Sequence, residues 1–248
     1  MKHTNTSWNA SAEFGLMDTF LSLPYSKRWM FAQAAKQWWK FVDWVESVGR
    51  SLDPREIHVN ERLLEIPFVL QRLPKTGRIL DVGCTSSAMS LQLACLGYQV
   101  TGVDVREYPF RHPNLCFLRQ DITQVPLDNE AYDCAILIST VEHMGLGAYG
   151  DAQRISDREF LQTITRFVKP GGVIYLTMPF GRTFEGAWFR VYDSKRLAQL
   201  VANYQIVESK FFRRLSLLEW RECREEDLAQ VASERLPVNG VALLMLRK

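Results

Sequence analysis

The chain has 248 residues, enough for one large domain or one domain with small additions, and too few for two full-sized independent domains. Lys+Arg 30 against Asp+Glu 28 leaves a formal +2, which sets aside a general polyanion-binding charge. At 47% hydrophobic and 23% charged, the composition sets aside disorder, collagen and coiled coil.

No run approaches the ~20 apolar residues of a membrane span, and Met1 to Ala10 lacks the apolar core of a signal peptide, so a cytoplasmic protein without a membrane partner is expected. Cys84, Cys95, Cys116, Cys134 and Cys223 are odd in number and lack the paired short spacing of zinc ligands, so they read as reduced thiols. The sequence is silent on oligomeric state.

In chain order, the first signal is helical. Between Trp29 and Gly49 the apolar positions Trp38, Phe41, Val42, Val45 and Val48 recur at helical spacing. With Trp39 and Trp44 they give residues 1–60 the look of a helical extension, a packed face or a lid, ahead of a main domain at 61–248. A further helix is expected after the capping pattern Asp53-Pro54-Arg55-Glu56 or after Asn60, with Pro67 disturbing its limits. From Arg78 short apolar runs alternate with helices, the mark of a parallel sheet covered on both faces. Strands are predicted near 79–83, 99–103, 115–119, 133–138 and 173–178, with a late pair near 205–212 and 240–246. The fold class is therefore α/β, a doubly wound, mostly parallel seven-stranded sheet with an N-terminal helical extension. Ser156-Asp157-Arg158-Glu159 is a capping box that opens a helix ended by Pro170-Gly171-Gly172. No crossover helix other than the charged 213–237 stretch follows the sixth strand, so the final pair is expected to be antiparallel with an insertion.

The chemistry concentrates at strand ends. Leu80-Asp81-Val82-Gly83-Cys84-Thr85 runs from a strand into a turn of small residues that a ligand can approach closely. Asp104 closes the second strand about 20 residues on, the spacing at which a carboxylate meets both hydroxyls of a ribose. Asp121-Ile122 follows the third strand, where a carboxylate can accept from an adenine amino group beside an apolar cover. Taken singly, Gly83 needs only to permit a tight turn, and Asp104 and Asp121 only to cap loops. Three such positions at successive strand ends of one sheet edge point to a shared site. The dinucleotide fingerprint fails at Thr85, and no phosphate loop occurs anywhere, so the ligand is adenosine without phosphates.

These residues resemble the S-adenosylmethionine-dependent methyltransferases of the seven-stranded, Rossmann-like class, from about Arg78 to Gly181. Leu80 to Cys84 is similar to their first motif, and Lys169-Pro170-Gly171-Gly172 to the turn before their fifth strand. The chain departs from them at Thr85 and Ser87, where many members carry glycine. The resemblance implies a methyl transfer from S-adenosyl-L-methionine, with S-adenosyl-L-homocysteine as product. It also implies donor contacts at Asp81, Gly83, Cys84, Thr85, Asp104, Val105, Asp121, Ile122 and Ser139, with Arg62 placed to meet the methionine carboxylate.

The loop after the fourth strand, Ser139 to Asp151, is dense in polar groups. His143 is a candidate base or acceptor-orienting group with Glu142 beside it, and a purely structural His143 is the competing reading. Some related methyltransferases bind a divalent ion through Glu-x-x-Glu-His. Ser139 takes the first acidic place here, so no metal is expected. Tyr149, Asp151, Arg190 and Tyr192 are the candidates for acceptor contact. Glu142 to Gly147 followed by Tyr149-Gly150-Asp151 is similar to members that modify sugars and natural products. A small-molecule acceptor is therefore expected and nucleic acid is not favoured. A protein or RNA methyltransferase and a catalytically inactive methyltransferase-like binding module remain the alternatives.

Overall fold

A computed structural model describes residues 60–147, 155–216, 218–233 and 238–248, all within the unit Ile57–Lys248. The predicted 29–49 helix, the lid role of the N-terminal aromatics, and the acceptor candidates Tyr149 and Asp151 lie outside the described residues.

The described chain opens with α1 (Arg62–Leu70), whose start is helped by the Asn60 Oδ1 atom accepting from the Arg62 backbone N–H at 3.2 Å. It continues as β1 (Arg78–Val82), α2 (Met89–Cys95), β2 (Gln99–Asp104), β3 (Leu115–Arg119), β4 (Tyr132–Ile138) and α3 (Asp157–Phe167). The remaining elements are β5 (Val168–Pro179), the short strands β6 (Phe184–Glu185) and β7 (Arg190–Val191), α4 (Ser194–Leu200), β8 (Gln205–Arg214), β9 (Trp220–Cys223) and β10 (Gly240–Arg247). Ser156 caps α3 as its sequence predicts, with its hydroxyl on the Glu159 N–H and the Glu159 carboxylate returning to the Ser156 N–H, a device worth about 1 kcal/mol.

The main sheet runs β3-β2-β1-β4-β5-β10-β8-β9. The pairs from β3 through to β5 are parallel, and β10 pairs antiparallel with both β5 and β8. Seven of these strands match the expected ones, and the late pair is antiparallel as foreseen. The eighth, β9, lies within the 213–237 insertion and pairs on β8 at the sheet edge.

Strand alternation sorts the core onto two faces. Leu80, Val82, Ala135, Leu137, Ile174, Leu176, Ala242 and Leu244 pack with Phe160, Leu161 and Ile164 of α3 and Leu197 and Leu200 of α4. Ile79, Cys134, Ile136, Tyr175, Val241 and Leu243 pack with Phe68 and Val69 of α1 and Met89 and Leu93 of α2. Each large side chain buried this way contributes roughly 1.5–3 kcal/mol. The chain order reverses between β1 and β4, so β1 and β4 turn their carboxyl ends toward a crevice at this switch point, where open α/β sheets bind ligands.

Candidate active site

A cavity of about 390 Å³ opens at that switch point. The ends of β1 to β4, the start of α1, the turn after β4 and the segment Trp188–Phe189 all contribute to its wall.

On the β1–β3 side the wall includes Gly83, Asp104, Val105, Asp121 and Ile122. Gly83 has φ +75°, and a Cβ there would come within 2.4 Å of Thr140 Oγ1, so only glycine fits the turn. Asp104 accepts at one carboxylate oxygen from the Arg106 N–H at 2.9 Å and at the other from the Thr85 N–H at 3.0 Å and the Thr85 hydroxyl at 2.6 Å. The Arg106 guanidinium adds longer contacts to both oxygens. Burial raises the Asp104 pKa, but the bonds from Thr85 and Arg106 outweigh it and hold the carboxyl below its ordinary range. Asp121 Oδ1 accepts from the Thr123 N–H and hydroxyl at 2.9 and 2.8 Å, which aims the carboxylate beside the buried Ile122.

These donors and acceptors fit an adenosine-bearing ligand. An ionised carboxylate stands at the end of β2, suited to a ribose diol, and the Asp121 side chain stands beside apolar Ile122, suited to a purine amino edge. A ribose placed at Asp104 would share that carboxylate with the side chains of Thr85 and Arg106, while the two backbone N–H donors keep it oriented.

Three expected donor contacts stand behind the wall. Asp81 points from β1 toward α2, where it accepts from the Ser90 hydroxyl at 2.6 Å, and burial pushes it up to about 6. The Cys84 side chain turns under the turn toward Ser90 and Gly102, and burial raises its thiol pKa. Thr85 acts through Asp104. All three support the wall without lining it.

On the β4 side, Glu61 and Arg62 from the N-terminal end of α1 meet Ser139, Thr140, Glu142 and His143. Ser139 donates to Glu65 Oε1 at 2.7 Å, and Thr177 donates to the same oxygen at 2.7 Å. The other Glu65 oxygen pairs with Arg62. A carboxylate therefore reaches this corner from α1, although the β4 loop itself carries Ser139 there. Sequence reading missed Glu65 because its partners lie 74 and 112 residues away.

Glu142 and His143 sit in a single turn of 3₁₀ helix, Val141–His143. Glu142 is 2% exposed, and its Oε2 atom has no hydrogen-bond partner among the described residues. Burial pushes its carboxyl up to about 8, so it is mainly protonated at neutral pH. His143 Nδ1 lies 2.6 Å from the Trp188 carbonyl oxygen. A carbonyl only accepts, so the neutral ring carries its proton on Nδ1 and its lone pair on Nε2. Burial lowers the His143 pKa against the opposing pull of that carbonyl, and the ring is neutral at physiological pH. Glu142 Oε1 is 3.8 Å from Nε2, beyond hydrogen-bonding distance, so the ring is oriented by Trp188 and not by Glu142.

Met144, Gly145, Ile155, Trp188, Phe189 and Val238 complete an apolar wall. Trp188 is 43% exposed, and its ring lies 5.1 Å from that of His143. Arg190 and Tyr192 depart from their expected acceptor role, since both are buried with their polar groups turned to the protein. Arg190 bonds Met144 O and Glu185, while Tyr192 bonds Asp157.

Residues 80–176 match the family described as a methyltransferase domain. A ubiquinone biosynthesis O-methyltransferase of Colwellia psychrerythraea is 26% identical over 215 residues, covering 77% of this chain and 78% of that one. The corresponding protein of Leptothrix cholodnii is 25% identical over 211 residues and 80% of each chain. In fold, the chain is similar to the Burkholderia thailandensis 1,6-didemethyltoxoflavin-N1-methyltransferase solved with its acceptor and S-adenosylhomocysteine. The TM-score is 0.55 at 16% identity, over 84% of this chain and 86% of that one. Residues 80–176 thus form a methyltransferase domain on a Rossmann-like fold, the chemistry of the cavity agrees with S-adenosylmethionine as the donor, and the chain is an S-adenosylmethionine-dependent methyltransferase.

Proposed function

We propose that the protein methylates a small, planar, ring-bearing acceptor at an ionisable O–H or N–H, with His143 as the base. The observation that carries this reading is the His143 ring itself: neutral, fixed by the Trp188 carbonyl, and tilted against an indole at the apolar end of the cavity. Asp104 and Gly83, with Asp121 and Ile122, hold the adenosine part of the donor, and Arg62 and Ser139 stand toward its amino-acid end. Bound there, S-adenosylmethionine supplies a methyl group on a sulfonium. Methyl transfer of this kind depends mostly on alignment, and the remaining demand on the protein is to take the acceptor's proton. A neutral imidazole whose lone pair is on Nε2 meets that demand.

The apolar wall of Met144, Ile155, Trp188 and Phe189 favours a flat aromatic or heteroaromatic ring. The curated relatives named as ubiquinone biosynthesis O-methyltransferases and the toxoflavin N-methyltransferase support the same class. A cytoplasmic location belongs to this reading, and no described helix is long and apolar enough to cross a membrane.

The test is methyl transfer from labelled S-adenosylmethionine across a panel of catechols, phenols, N–H heterocycles, sugars and a basic peptide. Turnover confined to the planar ring compounds is expected. Turnover confined to sugars or to the peptide would replace this reading.

A further inference from the structure

The segment after β5 carries no expected donor contact, yet it bonds the catalytic turn at alternate residues. Trp188 offers its carbonyl oxygen to His143 Nδ1 at 2.6 Å. Arg190 Nη1 donates to Met144 O at 2.6 Å. Tyr192 donates its hydroxyl proton to Asp157 Oδ2 at 2.9 Å, and the same oxygen lies 3.4 Å from Val141 O. Residues 188, 190 and 192 thus meet residues 143, 144 and 141, the first through its main-chain carbonyl and the other two through their side chains.

The segment is itself anchored. β6 and β7 pair antiparallel, with Glu185 opposite Arg190. Glu185 Oε2 accepts from Arg190 Nε at 3.1 Å and from Arg196 Nη2 at 2.6 Å, which ties the strand to α4. Tyr192 exchanges backbone hydrogen bonds with the end of β5, its N–H on Pro179 O at 3.0 Å and its carbonyl accepting from the Gly181 N–H at 2.8 Å. Arg190 is 6% exposed and Tyr192 fully buried, so neither is available to an acceptor in the cavity. A buried guanidinium is costly unless its donors are used, and Arg190 spends donors on a main-chain carbonyl of the turn that carries His143.

We infer that the β6–β7 segment is a clamp that sets the tautomer and direction of the His143 ring, with Arg190 as its principal positioning residue. Arg190 and Glu185 fix where Met144 and hence the end of the 3₁₀ turn lie, and Trp188 then meets Nδ1. If the turn drifts by about 1 Å, the Nδ1 bond to Trp188 is lost. The ring then samples both tautomers, only one of which presents Nε2 as an acceptor. The segment that displays the Trp188 indole to the acceptor is also the one that holds the base, so acceptor contact and base orientation share one strand.

This inference rests on the reading of His143 as the acceptor's base, and a readout independent of turnover separates the two. The full chain is labelled with ¹⁵N-histidine, and His143, one of four histidines, is assigned by comparison with His143→Asn. In the parent protein its ¹⁵N shifts should report the Nδ1–H tautomer and a titration midpoint below the ordinary histidine value. Arg190→Met should bring a tautomer mixture and lower turnover about tenfold while leaving S-adenosylmethionine affinity within about twofold. Arg190→Lys, which keeps an N–H donor, should restore most of the turnover and the parent tautomer.

Glu185→Ala changes a half-exposed side chain and keeps the test usable if Arg190→Met does not fold. It should move the same His143 signals in the same direction by a smaller amount. An unchanged Nδ1–H tautomer of His143 in Arg190→Met, or in Glu185→Ala where the former is unfolded, would overturn the clamp. Full turnover by His143→Asn would instead overturn the base reading and leave the spectroscopic result standing.

Discussion

The two ends of the cavity handle charge in opposite ways. At the β1–β3 end Asp104 is held ionised, since Thr85 and Arg106 fill its acceptor sites and outweigh its burial. At the β4 end the groups nearest the apolar wall are held neutral, Glu142 by burial without a partner for Oε2 and His143 by burial beneath Trp188. The difference is one of construction. Strand ends supply backbone N–H groups that stabilise a carboxylate where it stands, whereas a single 3₁₀ turn packed under aromatic rings supplies almost none. On the proposed reading, fixed charge grips the donor at one end, and at the other the acceptor meets neutral groups between which a proton can move.

The largest expected effect concerns Glu142. Its folded pKa of about 8 lies above the value of an unfolded glutamate, so the folded state binds the proton more tightly. That contribution to stability is complete below the unfolded pKa and is lost as pH rises through about 8. Asp81, raised to about 6, adds an earlier loss on the acid side of that window. Glu142→Gln should match the parent near pH 4 and exceed it by several kcal/mol at pH 9 on an order-of-magnitude reckoning. Denaturant midpoints from pH 4 to 9 measure this difference, and parallel curves for the two proteins would remove the contrast between the ends.

His143→Asn comes next. Turnover should fall roughly 10²-fold with donor affinity nearly intact, because only proton removal is lost. In the parent, kcat/KM should hold its plateau to below the ordinary histidine pKa before the acid limb begins. Stopped assays across pH 5 to 9, with calorimetry for the donor, separate the two quantities, and a mutant as active as the parent throughout would make His143 structural.

Asp104→Ala probes the charged end. Removing a carboxylate that accepts charge-assisted bonds from a ribose should weaken S-adenosylmethionine binding at least tenfold. An unchanged dissociation constant in a folded mutant would move the ribose elsewhere. The smallest effect is expected for Trp188→Ala, which should raise acceptor KM about fivefold, the worth of roughly 1 kcal/mol of ring contact, and leave donor affinity alone. A change in donor affinity instead would place the indole on the wrong side of the cavity.

Much of the charged end was legible in the sequence. Asp104 and Asp121-Ile122 end strands whose apolar runs are unmistakable, and strand ends of a parallel sheet share one edge by topology. The neutral end was harder to read. His143 was singled out by its place after the fourth strand, but its partner is a backbone carbonyl, Trp188 O, which no side-chain pattern encodes. Arg190 and Tyr192 were assigned to the acceptor because their segment mixes flat apolar residues with donors. The two-residue strands β6 and β7 are too short for alternation to announce which way each side chain faces. Asp81 misleads for the opposite reason: it lies in the most recognisable motif of the chain, and its carboxylate serves Ser90 of α2 behind the cavity wall.

The contact between Gly83 and Thr140 has a consequence for how sequences with this site can change. The Thr140 hydroxyl lies within hydrogen-bonding reach of Val82 O at 3.1 Å and Ile138 O at 3.0 Å, so it spans the gap between β1 and β4, and the space above Gly83 is what it occupies. A side chain introduced at 83 meets both the Thr140 side chain and the cost of a positive φ, so a smaller residue at 140 does not by itself admit one. Position 83 should therefore stay glycine in descendants of this chain, and position 140 should stay no larger than threonine. A library that randomises the turn after β4 to change acceptor preference will lose most of its members unless Gly83 and Thr140 are both left fixed.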